Sequence, residues 1–300
     1  MKSKILKGNI FAVTTLFAWD FTYVVGKFLL KELEPVQILL FRFILVSLLG
    51  AVLNINEYHK KSIKEEGKFV LVGFLVFLYF ILENNGLKLT TASNIGFILG
   101  TLPFFSSITA HFFTKDEKIT KELILGFVIS MLGVGIISFS NGISVRIRGD
   151  FLMLLAVIVW SFYSLCLKKY KFRYSVYYVT KKTFSYASFF LIIYMLVTKS
   201  KFPDISKIDF QLGLGIAYLV IVASFLGFIF WGKAIKYIGI VKTSNYLYFS
   251  PINVMIISYI FLGEGITVQK LIGGGFILLG GFILKKKSFD GKKSRVEYVE

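Results

Sequence analysis

The chain has 300 residues, 56% of them apolar and only 17% charged, with a mean hydropathy of +0.72. That composition excludes a water-soluble globular protein and places the chain in a bilayer. The net charge of +18, from 35 basic and 17 acidic side chains, comes without groove-reading or base-stacking motifs, which argues against a nucleic-acid partner.

At the N-terminus Lys2, Lys4 and Lys7 precede an apolar run that contains Trp19 and Asp20 and lacks a small-x-small cleavage pattern. It reads as a retained first span rather than a cleaved secretory leader. Apolar runs between charged or Pro/Gly-bearing breaks predict ten spans, at 9–27, 36–54, 69–87, 94–113, 123–140, 150–167, 178–198, 211–231, 240–262 and 268–284. Each approaches the ~20 residues a helix needs to cross ~30 Å of hydrocarbon. The runs are continuously apolar, so they predict helices and not the alternating strands of a barrel.

Loop charges orient the spans. With the N-terminus inside, the cytoplasmic segments hold 25 basic residues, the outer segments hold 9, and Arg42 completes the 35. Short cytoplasmic loops accumulate Lys and Arg, so an integral cytoplasmic membrane protein with both termini in the cytoplasm is expected. Cys166 is the single cysteine, which excludes an internal disulfide and a cysteine-based zinc site.

The two halves resemble each other. Gly8 leads to Trp19 and Gly149 leads to Trp160, each eleven residues on. Pro103 is followed by Glu117, Thr120, Gly126 and Gly133, and Pro251 by Glu264, Thr267, Gly273 and Gly280; the offset is 147 with a one-residue slip at the prolines. Each half then holds five spans, and an odd number turns the second half upside down. Inverted repeats are the recurrent architecture of secondary transporters. The expected fold is all-α, ten transmembrane helices in two inverted five-helix repeats, at residues 1–145 and 146–287, with a basic cytoplasmic tail at 288–300.

Several motifs carry a family resemblance. The second half contains Trp231-Gly-Lys-Ala-Ile-Lys-Tyr-Ile-Gly239, Thr243-Ser-Asn-Tyr-Leu-Tyr248, Pro251 and Leu262-Gly-Glu264-Gly-Ile-Thr267. The first contains Glu83-Asn-Asn-Gly-Leu-Lys88, Thr91-Ala-Ser-Asn94, Pro103 and Glu117-Lys-Ile-Thr120. In this order the motifs resemble the EamA-type permeases of the drug/metabolite transporter superfamily over essentially the whole chain. The resemblance implies a ten-helix fold, a central cavity lined mainly by helices 1, 3, 4, 6, 8 and 9, and movement of small metabolites, with amino acids and related compounds leading and efflux the expected direction. It departs from the family at Asp20, where a small residue, often glycine, is usual.

Ionisable groups at membrane depth are functional candidates because they are costly unless paired or wetted. Counted along their helices, Asp20, Arg42 and Glu83 share a layer about 9–12 Å from the outer boundary. Pairing of Arg42 with Glu83 or Asp20 is expected, the other acid being left for a proton or a cationic ligand group. A static brace, ligand contact and proton coupling all fit this trio. Asn84, Asn94 and Asn245 can donate and accept, as an amino-acid or nucleobase ligand requires, or can cap and join helices. Pro103 and Pro251 interrupt the backbone ladder and are candidate hinges. Trp19, Tyr23, Tyr79, Tyr163, Trp231 and Tyr248 are candidate aromatic walls.

Glu117 and Glu264 are expected to cap the following helix with Thr120 and Thr267. Lys181 and Lys182 sit near the inner end of span 7, where their heads can reach water. HExxH, GxxxxGK[ST], GxGxxG and GxSxG patterns are absent, and His59 and His111 stand apart, so neither catalysis, a bound cofactor nor a metal is expected. The partners are a small-molecule solute and membrane lipid, with oligomeric state open. A lipid-modifying membrane enzyme and a passive channel are the competing readings.

Overall fold

Hydrocarbon offers backbone N–H and C=O groups no partner but each other, and continuously apolar runs meet that demand by coiling. In the computed structural model, which describes residues 2–53, 63–113, 120–139, 145–170, 174–239 and 243–290, they form ten helical stretches, and no strand occurs among these residues. The helices are α1 (Lys2–Leu29), α2 (Pro35–Leu53), α3 (Ile63–Leu89), α4 (Ala92–Leu99), α5 (Leu102–Phe113) and α6 (Lys121–Ser138). The second half holds α7 (Val145–Tyr170), α8 (Val176–Val197), α9 (Phe210–Ala217), α10 (Gly227–Ile238), α11 (Ser250–Leu262) and α12 (Val268–Asp290). Each expected span overlaps one stretch. Glu117, His59 and residues 291–300 of the expected tail lie outside the described residues.

Seven stretches among the described residues are long and apolar enough to cross a membrane, and Val268–Ile283 is a shorter apolar helix. In α1 and α8, Asp20 and the Lys181-Lys182 pair dilute otherwise apolar sequence. Large apolar side chains point outward along many helices, among them Leu48, Val52, Phe189, Leu196 and Phe282, as a surface in contact with lipid requires.

Three stretches are interrupted, two of them beside the candidate hinges. Gly100 and Thr101 separate α4 from α5, and Pro103 is the second residue of α5. Before α11 the chain runs as a 3₁₀ turn at Asn245–Phe249, and Pro251 is the second residue of α11. A proline lacks the N–H that an upstream carbonyl needs, so a new helical segment begins at each. Between α9 and α10, Tyr218–Leu226 coils as a π-helix, which neither proline nor glycine explains.

Glycines let the helices approach backbone to backbone. On α6 and α12, Gly126 faces the carbonyl of Gly280 and Gly133 that of Gly273, while Ser130 Oγ donates to the Ile277 carbonyl at 3.3 Å. Gly86 on α3 meets Gly149 on α7, and Gly96 on α4 meets Val254 on α11. The remaining principal pairs are α1 with α10, α3 with α8 and α2 with α8, the last joined by Ser47 and Ser185 at 2.6 Å.

Thr120 caps α6 by accepting from the Leu123 amide, and the Thr267 hydroxyl accepts from the Lys270 amide at the start of α12. Glu264 does not join Thr267 as its spacing suggests. Its carboxylate instead accepts from the Ala92 and Ser93 amides, at the start of α4, 2.8 and 3.1 Å away. Spacing along one chain identified a cap but not the helix that receives it. On α8, Lys182 donates to Glu66 of α3 at 2.6 Å, and Tyr186 donates to the same carboxylate.

Candidate functional site

The polar layer converges on a cavity between the two halves of the chain. Helix α1 supplies Trp19, Asp20, Thr22 and Tyr23, α2 supplies Arg42, and α3 supplies Tyr79, Phe80 and Glu83. Leu99 and Leu102 flank the α4–α5 break, Trp160 and Phe228 come from α7 and α10, and Leu247 and Ser250 lie at the start of the ninth stretch. The walls are therefore those of stretches 1, 3, 4, 6, 8 and 9, with Arg42 reaching in from stretch 2.

Glu83 is held on its own side. Its Oε1 accepts from the Tyr79 hydroxyl at 2.5 Å, one turn earlier on α3, and from the Tyr23 hydroxyl of α1 at 3.1 Å. The four-residue spacing of Tyr79 and Glu83 puts both on one helix face. Asp20, 1% exposed, accepts on Oδ2 from the Asn253 amide of α11 at 3.1 Å. Ser250 Oγ, fully buried beside it, has no hydrogen-bond partner of normal geometry.

Arg42 is 2% exposed and forms no ion pair within 4.0 Å of a carboxylate among the described residues. The expected Arg42 pairing with Glu83 or Asp20 is thus absent as a direct contact. Its Nε donates to Ser224 Oγ of the π-helix at 2.5 Å, and the guanidinium carbon lies 4.1 Å from the centre of the Phe80 ring. A buried guanidinium is favoured by such a π face and hydroxyl, yet its two terminal nitrogens keep donors to spare.

The same π-helix is tied to α1 twice. Trp19 Nε1 donates to the Ala223 carbonyl at 2.9 Å, and Tyr218 donates its hydroxyl to the Ala18 carbonyl at 2.8 Å. Trp19 stands edge-on to Trp160 at 5.4 Å, and Trp160 packs on Tyr79 at 4.7 Å. These contacts fix the indoles as a wall of the cavity.

Trp19, Asp20, Tyr23, Arg42, Tyr79 and Glu83 are thus brought together. Tyr163 and Trp231 form a second aromatic layer, 5.0 Å from Trp160 and 4.9 Å from Trp19 respectively. Asn84 turns back to the Phe80 carbonyl of its own helix at 3.0 Å. Asn94 donates to both Asp150 oxygens, at 3.3 and 3.2 Å, beyond the cavity. Asn245 opens the 3₁₀ turn, and Tyr248 packs edge-on to Phe104 at 6.3 Å; neither lines the cavity. No group of three or more metal-ligating side chains occurs among the described residues.

Asn253, Ser250, Ser224 and Phe228 belong to the site, yet the sequence does not show what they meet, since Asn253 lies 233 positions from the acid it bonds. A lone polar residue in an apolar span, such as Ser224, is the one available hint.

A model of the EamA-like transporter family matches twice, at residues 6–139 and 147–285. An uncharacterized transporter of Clostridium kluyveri is 28% identical, covering 96% of each chain. YyaM of Bacillus subtilis, also an uncharacterized transporter, is 28% identical over 86% of this chain and 87% of its own. A probable terminal-alkyne amino-acid exporter of Streptantibioticus cattleyicolor is 21% identical over 72% of this chain and 71% of its own. A solved crystal structure shares the fold with a TM-score of 0.66 at 14% identity, covering 97% of this chain and all of the other. With two matches that together span nearly its whole length, this membrane-embedded helical chain belongs to the EamA-like transporter family.

Proposed function

We propose that the chain is a secondary transporter that exports small zwitterionic metabolites, amino acids or close relatives, across the cytoplasmic membrane by alternating access. One observation carries the solute class. A guanidinium, Arg42, and a carboxyl group, Asp20, face one cavity, and neither has an ionic partner within 4.0 Å among the described residues. An amino acid answers both: its carboxylate takes the free fork of Arg42 and its ammonium takes Asp20. The indoles of Trp19 and Trp160 offer flat faces to the remainder. The amino-acid exporter among the relatives supports the same class. Glu83, already accepting from two tyrosines, acts as the brace of the trio.

Alternating access rests on two inverted five-helix units, 1–145 and 146–287, with the tail at 288–300 in the cytoplasm. The reciprocal pairing supports this reading: α1 packs on α10 as α3 packs on α7, and Gly126 meets Gly280 as Gly133 meets Gly273. Pro103 and Pro251 are the hinges, because each begins a helical segment next to the cavity. The excess of basic residues in alternate loops, 25 against 9, supports cytoplasmic termini.

The experiment is counterflow in sealed proteoliposomes preloaded with unlabelled amino acids. Saturable uptake of an unaltered labelled amino acid is expected, and Arg42→Gln and Asp20→Asn should each abolish it. Uptake without saturation, or recovery of a chemically changed solute, would overturn the reading.

A further inference from the structure

The connection between α3 and α4 is held from two sides by carboxylates of the second half of the chain. Glu264, in the turn after α11, accepts from the Ala92 and Ser93 amides at 2.8 and 3.1 Å and from the Ser93 hydroxyl. Lys270 of α12 backs it, with Nζ 3.8 Å from the carboxylate, and donates to Ser93 Oγ at 2.8 Å and to the Gly265 carbonyl at 3.0 Å. On the other flank Asp150 of α7 accepts from the Thr90 hydroxyl at 2.5 Å and from Asn94.

Amides in the first turn of a helix have no acceptor within it, and a carboxylate at that end also meets the positive pole of the helix. Glu264 thus satisfies two orphan donors of α4 with charge-assisted bonds. Side-chain exposure of only 12% for both Glu264 and Lys270 limits competition from water. The contact is therefore screened less than a surface ion pair.

Its position relative to the cavity gives it a consequence. Thr90 follows Glu83 by seven residues and Ala92 precedes Leu99 by seven, about 10 Å of helix in each case. The carboxylates thus lie about two helical turns from the lining residues Glu83 and Leu99. α4 is an eight-residue segment cut off from α5 just before Pro103, and α11 begins at its own proline break. Glu264 fastens the free end of the first segment to the far end of the second, and Gly96 seats them together on Val254.

We propose that this double clasp, Glu264 with Lys270 on one flank and Asp150 on the other, is the gate that shuts the cavity on the face the loop charges assign to the outside. Rupture of the Glu264 bonds frees the α4 end to swing about its break and opens the chamber outward. The proposal rests on the transport reading above for its purpose, but its test reads access to the cavity and not flux.

In a Cys166→Ser background, a single cysteine replacing the cavity residue Thr22 is exposed to a membrane-impermeant maleimide outside right-side-out vesicles. Labelling should be slow with the clasp intact. It should rise about tenfold or more in Glu264→Ala, as a minor open state gains population, and by a smaller factor in Ser93→Ala, which removes a hydroxyl and no charge. Should Glu264→Ala fail to fold, Ser93→Ala and Asp150→Asn carry the test. Unchanged labelling in every folded variant, with the cysteine still reactive in detergent, overturns the gate. Counterflow by the parent chain alongside unchanged labelling in the variants removes the gate alone, whereas raised labelling in the variants with no counterflow by the parent chain leaves the gate and removes the transport reading.

Discussion

Gly133 and Gly135 stand two residues apart on α6, and their substitution by alanine should have opposite effects. A methyl group at Gly133 would overlap the carbonyl oxygen of Gly273 and lie 2.9 Å from Ile277 and 3.0 Å from Phe276, whereas one at Gly135 meets nothing within 4 Å. Favourable non-bonded separations are about 3.5–4.0 Å, and the obstructing atom is backbone, so no rotamer change relieves the overlap. α12 must withdraw by at least about half an ångström, stretching the 3.3 Å bond from Ser130 to the Ile277 carbonyl and loosening Gly126 against Gly280. Overpacking of this kind costs about 1–3 kcal/mol, offset by up to about 1 kcal/mol from the better helix propensity of alanine. Because the overlap is with backbone, the cost lies in the upper part of that range, about 2–3 kcal/mol, and Gly133→Ala should lose about 1–2 kcal/mol net. Gly135→Ala should be neutral or gain up to about 1 kcal/mol. Thermal unfolding of the two purified variants in one detergent, followed by circular dichroism, makes the comparison. A Gly133→Ala protein that melts at or above the parent temperature would refute the close crossing of α6 and α12.

Trp19→Phe keeps an aromatic wall but leaves the Ala223 carbonyl of the π-helix without its donor; a loss of about 1–3 kcal/mol is expected, and a parental melting curve would deny that bond its role. Tyr23→Phe and Tyr79→Phe each remove one of the two hydroxyls that reach Glu83, at about 1–3 kcal/mol for a buried acceptor deprived of a donor. Because both donors serve one oxygen, their effects should be coupled and not additive, which a double-mutant cycle on unfolding temperature measures; strict additivity would show that they do not share the carboxylate.

The number and approximate ends of the helical stretches follow from apolar run length, because a segment surrounded by hydrocarbon has no alternative to coiling. The prolines that begin new segments were equally legible, since each acts through its own backbone geometry, whereas the glycines of α6 and α12 were legible only as marks of the repeat and not as a helix crossing. Asp20, Arg42 and Glu83 were recognisable as candidates from depth alone, and Tyr79 shares Glu83's helix face by spacing. The partners of these residues were not. Arg42 meets Ser224 and Phe80 instead of a carboxylate, Asn94 meets Asp150 instead of the cavity, and Glu264 caps α4 instead of the helix that follows it. Lipid makes the outer face of a membrane helix as apolar as its inner one, so the pattern that reveals a soluble helix's rotation about its axis is largely erased. Which side chains face the chamber, and which half of the chain supplies their partners, was decided only when the helices packed.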